Sequence, residues 1–263
     1  MRWQVRRGKS SREIRHGGVL VDQRRDAWGV VEVVDHDRSR CLHFGSSIRQ
    51  SGLRLDRPEC PLFEYDDKLM AAAALHAEPR DVLILGLGAG SVARRLHGCL
   101  SAVTITAVER REVVIDLALE YFGLPADERL QLFTAEAEQF LEAIDAQWDL
   151  LLVDLFNAVG PDPALSRLRV FDLCRSRLRS GGVLVVNLWR NVTDDFENAR
   201  EHLRACFGPD VWYLDEEDGN TVAYAFKGAP AVLDRSAGER LAALSLDPLL
   251  LRRLRLAARQ TPR

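Results

Sequence analysis

The chain has 263 residues, 47% of them hydrophobic and 29% charged, with a formal net charge of −3 and a pI near 6.1. That length and balance support one main domain with attachments around a sizeable core, and they give no global pull toward nucleic acid or an anionic membrane. The longest apolar runs fall well short of a bilayer span and none near the start reads as a signal peptide, so a cytoplasmic protein with no membrane partner is expected.

In chain order, residues 1–17 form a basic arm: Arg2, Arg6, Arg7, Lys9, Arg12 and Arg15 stand against Glu13. Such a run is a solvated end or a phosphate-binding arm. From about Gly18 to Gln50, short β-branched runs alternate with turn residues, as in hairpins. "CPLFEYDDKLMAAAALHAEP" then reads as a helix that Pro79 ends, closing a small β domain over residues 18–78.

From Asp81 strand and helix alternate, which requires parallel strands with crossover helices. The expected strands are "DVLILGLG", "AVTITAVE", "LQLFTAE", "WDLLLVDLF" and "GGVLVVNLW", short and continuously apolar because helices cover both faces. The expected helices between them are "SVARRLHGCL", "REVVIDLALEYFGL", "AEQFLEAIDAQ" and "RLRVFDLCRSRLRSG". "DVWYLDEEDGNTVAYAFKG" forms an edge hairpin, which completes a Rossmann-like α/β domain over residues 79–228. Residues 229–263 are an amphipathic helical tail interrupted by Pro248. Cys41, Cys60, Cys99, Cys174 and Cys206 lie apart, without a C-x-x-C pair or neighbouring histidines. They predict neither a metal site nor a disulfide framework.

Gly86, Gly88 and Gly90 end the first parallel strand and precede a helix, where backbone can pass close to a ligand and the helix N-terminus favours an anion or polar edge. A dinucleotide fingerprint would place Gly or Ala at the position held by Ser91, so the loop alone does not choose a cofactor. Glu109 ends the second strand twenty-three residues beyond Gly86, near the spacing at which a carboxylate reaches ribose hydroxyls. Glu136 follows the third strand and Asp154 the fourth, so all three acids and the loop face one crevice. Each also has a bland reading: Glu109 as a helix N-terminal acid, Glu136 as a cap. For Asp154, which follows an unbroken apolar run, an unpaired buried carboxylate would be costly without a function.

These blocks resemble the spermidine synthase family, the polyamine aminopropyltransferases, from about Trp28 to Lys227. The resemblance rests on "RCLHFGSSIRQSG", "FEYDDKLMA", "VLILGLGAGS", "VERRE", "TAEAEQFL", "WDLLLVDLFNAVGP" and "LRSGGVLVVN", in that order. It implies an α/β fold, a Rossmann-like seven-stranded S-adenosylmethionine-dependent methyltransferase sheet with a small N-terminal β domain. It also implies a homodimer built through the β arm and C-terminal helix. By the same resemblance Glu109 binds the ribose of a sulfonium nucleoside and the loop Gly86, Gly88, Ala89 and Gly90 passes its sulfur side. Glu136 holds the adenine amino group and Gln50 lies near the nucleoside. Tyr65 belongs to the substrate-binding helix, and Asp154 is the catalytic acid that takes a proton from an attacking amine. The co-substrate would be decarboxylated S-adenosylmethionine, with no prosthetic group and no metal.

Glu136 stands where the family usually has Asp, which lengthens its reach by one methylene, and four further positions depart from the family pattern. Ala89 replaces a loop Asp, Asn157 replaces a second acid after the fourth strand, Ala71 replaces a histidine and Asn187 replaces a glutamine. A dicationic acceptor would meet a less negative pocket, and without an acid at position 89 a donor that keeps its carboxylate is less repelled. Leu155, Phe156 and Trp189 could form an apolar wall. Three readings stand: aminopropyl transfer to an amine, methyl transfer from S-adenosylmethionine, and a nucleoside-binding protein without catalysis. A nicotinamide oxidoreductase is disfavoured by the β arm and the terminal hairpin.

Overall fold

A computed structural model describes residues 13–260 apart from position 218. The expected basic arm lies outside the described residues except for residues 13–17, where Ile14–Arg15 (β1) pairs antiparallel with Gly18–Asp26 (β2). Gly29–His36 (β3), Ser39–His43 (β4) and Arg49–Arg54 (β5) extend this pairing into a five-stranded antiparallel sheet in sequence order. Glu64–Leu75 (α1) follows, the predicted alanine-rich helix, with Glu64, Asp66 and Asp67 in its first turn.

The second sheet alternates as its sequence predicts. Asp81–Leu85 (β6) leads to Ser91–Cys99 (α2), Thr104–Glu109 (β7), Glu112–Tyr121 (α3), Leu130–Thr134 (β8) and Ala137–Ala143 (α4). Then come Trp148–Val153 (β9), Leu168–Arg177 (α5), Leu178–Trp189 (β10) and Thr193–Phe207 (α6). The hairpin of Trp212–Asp215 (β11) and Asn220–Phe226 (β12) and the tail helices Arg235–Ala243 (α7) and Leu249–Gln260 (α8) complete the chain. The strand order is β11-β12-β10-β9-β6-β7-β8, parallel from β10 to β8 with an antiparallel hairpin at the edge. This is the seven-stranded methyltransferase-like sheet expected, with the small β sheet before it.

Side-chain alternation sorts the apolar strands onto two cores. Val82, Ile84, Leu150 and Leu152 face α1, α2, α7 and α8, whereas Leu83, Leu85, Leu151 and Val153 face α4, α5 and α6. The small sheet uses Val31, Val33 and Leu42 to cover Val114, Leu117 and Phe122 at α3. Asp26 latches the two sheets: Arg111 donates to both its carboxylate oxygens at 2.8 Å, and its guanidinium lies 4.8 Å from the Phe44 ring centre.

Two elements differ from the sequence reading. The helix expected through Gly181 stops at Arg177, because Leu178 is drawn into the sheet opposite Trp148 and is fully buried there. Helix α6 was not foreseen at all. It buries Ala199 and Leu203, a stripe too short to stand out against its charged residues.

Gly86 fixes how closely the strands approach. Its φ is 90°, and a Cβ there would lie 2.2 Å from the Asp154 carbonyl oxygen. Gly88 does the same for the small sheet, since its Cβ would lie 2.9 Å from the Ser51 Cβ. Gly86→Ala is expected to destabilise by about 2–4 kcal/mol in urea unfolding, from left-handed strain plus the backbone clash. Gly181→Ala, at φ 80° with open space around it, should cost only about 1–2 kcal/mol from strain alone. Equal costs would remove the close approach as the reason for glycine at position 86.

The small sheet also holds three imidazoles. His16 stacks on His43 with ring centres 4.6 Å apart, and His36 Nε2 lies 3.2 Å from His43 Nε2. Burial, then the neighbouring His16 and His36, hold His43 down at about 4 against an ordinary 6.5. The unfolded chain therefore binds a proton that the folded one refuses, so this stability is complete above about 6.5 and is lost as pH falls toward about 4. Between about pH 7.5 and 4.5, wild type should lose about 2–3 kcal/mol more than His43→Gln in urea titrations. Matching pH profiles would exclude His43 as the source.

Candidate active site

Strand β6 lies between β7 and β9, so the chain leaves it in opposite directions and a crevice opens at the carboxyl ends, where open α/β sheets bind ligands. A cavity of about 770 Å³ lies there. Gly86, Gly88, Glu109, Glu136 and Asp154 border it from the large sheet, Gln50 and Tyr65 from the small sheet and α1. Asn157 and Asn187 border it too, as do Leu155, Phe156 and Trp189.

Glu109 is 9% exposed, and its oxygens accept backbone hydrogen bonds from Leu87 (3.2 Å) and Arg111 (3.0 Å). It therefore ties the glycine loop to the start of α3 while facing the cavity. Burial pushes its carboxyl up, and those amides pull it back. Glu136 occupies the N-cap position of α4 but makes no side-chain cap, so its carboxylate is not engaged in the role the bland reading assigned. Asp154 is pushed up to about 6 by burial, opposed by the Asn187 amide, whose Nδ2 donates to Asp154 Oδ1 at 2.9 Å. Asn187 is 1% exposed and its own Oδ1 has no hydrogen-bond partner.

Three expected residues are placed differently. Ala89 is 2% exposed and packs in the apolar cluster of the small sheet and α3, away from the cavity lining. The left-handed conformations of Gly88 and Gly90, φ 54° and 73°, turn that residue inward. Gly90 itself caps α2 against Leu124, where a Cβ would lie 2.5 Å from Cδ1. Asn157 borders the cavity, yet its Oδ1 accepts from Val159 N (2.9 Å) and Gly160 N (3.2 Å), shaping its own turn.

Sequence reasoning also missed residues. Asp66 is 3% exposed, accepts from Ser91 Oγ at 2.7 Å, and borders a narrow crevice together with Asp154 and Gly86. On the small sheet, pairing shifts register so that Leu42 faces Ser51 and His43 faces Arg49, leaving Gln50 as the extra residue of a bulge. Bulges re-aim side chains, and Arg49, Gln50 and Ser51 all border the cavity here. The helical phase of "YDDK" was the available signal for Asp66; the bulge left none.

Six carboxylates and three arginines border the cavity. Arg110 is paired with Asp162 at 2.8 Å and Arg167 with Glu138 at 2.5 Å, so the unpaired charge is mainly negative. Among the described residues no group of three or more His, Cys, Asp or Glu could hold a metal, and no helix is long and apolar enough to cross a membrane.

Comparison with known proteins gives a consistent result. The spermine/spermidine synthase domain matches residues 62–206. The polyamine aminopropyltransferase of Neisseria meningitidis serogroup A is 30% identical over 203 residues, 76% of this chain and 77% of that protein. The polyamine aminopropyltransferase of Chromobacterium violaceum is 28% identical over 209 residues, 79% and 80% of the two chains. The crystal structure of spermidine synthase from Thermotoga maritima superposes with a TM-score of 0.69 at 17% identity, covering 90% of this chain and 88% of that one. Human methyltransferase-like protein 13, crystallised with SAH, shares the fold with a TM-score of 0.61 at 22% identity, covering 76% and 94%. With the domain match spanning more than half of its length, this chain belongs to the spermine/spermidine synthase family, the polyamine aminopropyltransferases.

Proposed function

We propose that the protein is a transferase that binds a sulfonium nucleoside and moves an aminopropyl group from decarboxylated S-adenosylmethionine to an amine. The observation that carries this reading is the placement of Asp154, a half-buried carboxylate just past the end of β9, in the same net-acidic cavity as Glu109 at the end of β7. Glu109 receives the ribose hydroxyls, Glu136 reaches the adenine amino group, and Gln50 lies alongside the nucleoside. Tyr65 and Asn187 border the acceptor.

A protonated amine has no lone pair with which to attack. Asp154 accepts one of its protons, the freed lone pair forms a bond to the carbon attached to sulfur, and the C–S bond breaks as a neutral thioether nucleoside leaves. Asn187 orients Asp154 through Nδ2, and its unpaired Oδ1 accepts a second N–H of the amine. Holding both reactants in line supplies the remaining advantage.

One observation favours a second reading. Arg49 borders the cavity and has no carboxylate within ion-pair distance among the described residues. An intact S-adenosylmethionine carboxylate would satisfy it, with methyl transfer as the result.

Asp154→Asn should lower kcat/KM by about 10²–10⁴-fold while sparing nucleoside binding. Wild-type kcat/KM should fall about tenfold per unit as pH drops below about 6, because Asp154 is then protonated and cannot accept. Calorimetry with both donors, followed by the mass gained by amine acceptors, separates aminopropyl from methyl transfer. Failure of either donor to bind at sub-millimolar concentration sinks both readings.

A further inference from the structure

The cavity is charged on one side of Asp154 only. Glu109 ends β7, Glu136 and Glu138 open α4, and Glu142 lies further along that helix, so these carboxylates stand on the β7 and β8 side. Asp162 is paired with Arg110, the residue after β7. In the other direction the sheet continues from β9 to β10 and β12, and there the lining changes. Asn187 and Trp189 come from β10, Asn220 from β12, and Phe156, Asn157 and Gly160 from the turn after β9. With Asp162 held by Arg110, this half offers no free carboxylate among the described residues that border the cavity.

The uncharged half is built directly onto Asp154. Asn187 and Trp189 are two residues apart on one strand, so they share a face, and Trp189 pairs with Asn220 across to β12. Asn187 donates to Asp154 at 2.9 Å, which sets this face beside the acid. Gly160 borders the indole: a Cβ there would lie 3.3 Å from Trp189 Cζ3, so loop backbone rests against the ring. Asn157, at the position where a second acid is missing, uses its Oδ1 to accept from Val159 N and Gly160 N within the turn. Asp66 borders the narrow crevice of about 20 Å³ and not this half. Arg49, which enters the cavity from the small sheet, has the wrong sign to hold a cation.

We propose that the acceptor is a primary monoamine with an apolar tail, its nitrogen at Asp154 and its tail along Trp189 and Phe156. This rests on the aminopropyl-transfer reading above. With the nucleoside on Glu109 and Glu136, in-line attack puts the rest of the acceptor on the opposite side of Asp154, along β10 and β12. A second ammonium there would lose water without gaining a carboxylate. An aromatic face attracts a cation but does not replace its hydration. An alkyl or aryl tail gains the apolar contact and leaves no polar group of its own unpaired. The nitrogen gives one proton to Asp154 and bonds to the carbon on sulfur, and the C–S bond breaks, leaving a protonated secondary amine and a neutral thioether.

The test compares pentylamine with putrescine, which match in chain length and differ by a methyl in place of the second ammonium. Decarboxylated S-adenosylmethionine is the donor, and the mass of the product is the readout. Wild type should show about tenfold or more higher kcat/KM for pentylamine. Trp189→Ala should raise KM for that amine about five- to fiftyfold with kcat little changed. Trp189→Glu should reverse the order of the two amines, and Phe156→Glu repeats the reversal from the turn after β9 where the first variant fails to fold. Calorimetric binding of 5′-methylthioadenosine, the thioether product, marks a folded variant. A wild type that prefers putrescine, or that uses neither amine while binding the nucleoside, overturns the proposal, as does an order unchanged in both glutamate variants. A wild type that binds neither the donor nor 5′-methylthioadenosine overturns the nucleoside reading beneath it.

Discussion

The site depends on the contact between the Gly86 backbone and the Asp154 carbonyl. Strands β6 and β9 are neighbours in space although β7, β8 and the helices between them separate them in sequence. Their carboxyl ends can stay together past the last ladder pair only if the residue after β6 has no Cβ. Backbone bonds from Asp154 N to Leu85 O (2.9 Å) and from Gly86 N to Val108 O (2.8 Å) then join three strand ends in a row. The carboxylates of Glu109 and Asp154 are thereby placed at the ends of the two strands that flank β6 instead of on flexible loops. Gly88 against Ser51 repeats the device toward the small sheet, so the cavity is walled by both sheets at once.

Charge burial separates scaffold from site. Where buried charges serve the scaffold they are matched: Lys68 with Glu216 at 2.7 Å, Arg253 with Glu216 at 2.8 Å, Arg111 with Asp26. Removing one partner from such a pair leaves the other uncompensated, typically at a cost of about 3–5 kcal/mol. At the crevice the pattern inverts. Glu109 rests on backbone amides, Asp154 on one neutral amide, and Asp66 on a hydroxyl, and burial raises the pKa of all three. Among the described residues, none of these three acids is hydrogen-bonded to a cationic side chain. The unpaired acceptor on Asn187 belongs to the same unfinished network.

How much of this was legible in the sequence follows from which signals are periodic. Continuous apolar strands, glycines at a strand end and acids after successive strands are one-dimensional patterns, and they gave the sheet and the crevice. Helix α6 failed because its buried face is two small positions amid charges, and the early end of α5 failed because Leu178 fits a helix and a strand pattern equally well. Asp66 was hidden by its neighbours. In "EYDDK" three acids in a first turn are sufficiently explained by the helix dipole, and only the helical phase separates the inward Asp66 from the outward Asp67. The bulge at Gln50 depends on pairing across strands, which no local pattern encodes.

Ala89 shows the difference between a motif position and a chemical position. Read along the chain, a loop that lacks its acid has a missing charge. In space, the side chain at 89 enters an apolar cluster of Val31, Val33, Leu117 and Phe122, where an unpaired carboxylate would be strongly disfavoured. The local space therefore selects alanine on packing grounds alone. The charge beside the loop comes from Asp66, on a helix that reaches the same crevice from the other side and carries a short acid turned inward. A binding site constrains where a charge is placed, and any backbone element that passes within one side chain's length can supply it. A substitution in the loop is thus weak evidence about the charge of the pocket until every element bordering that pocket has been counted.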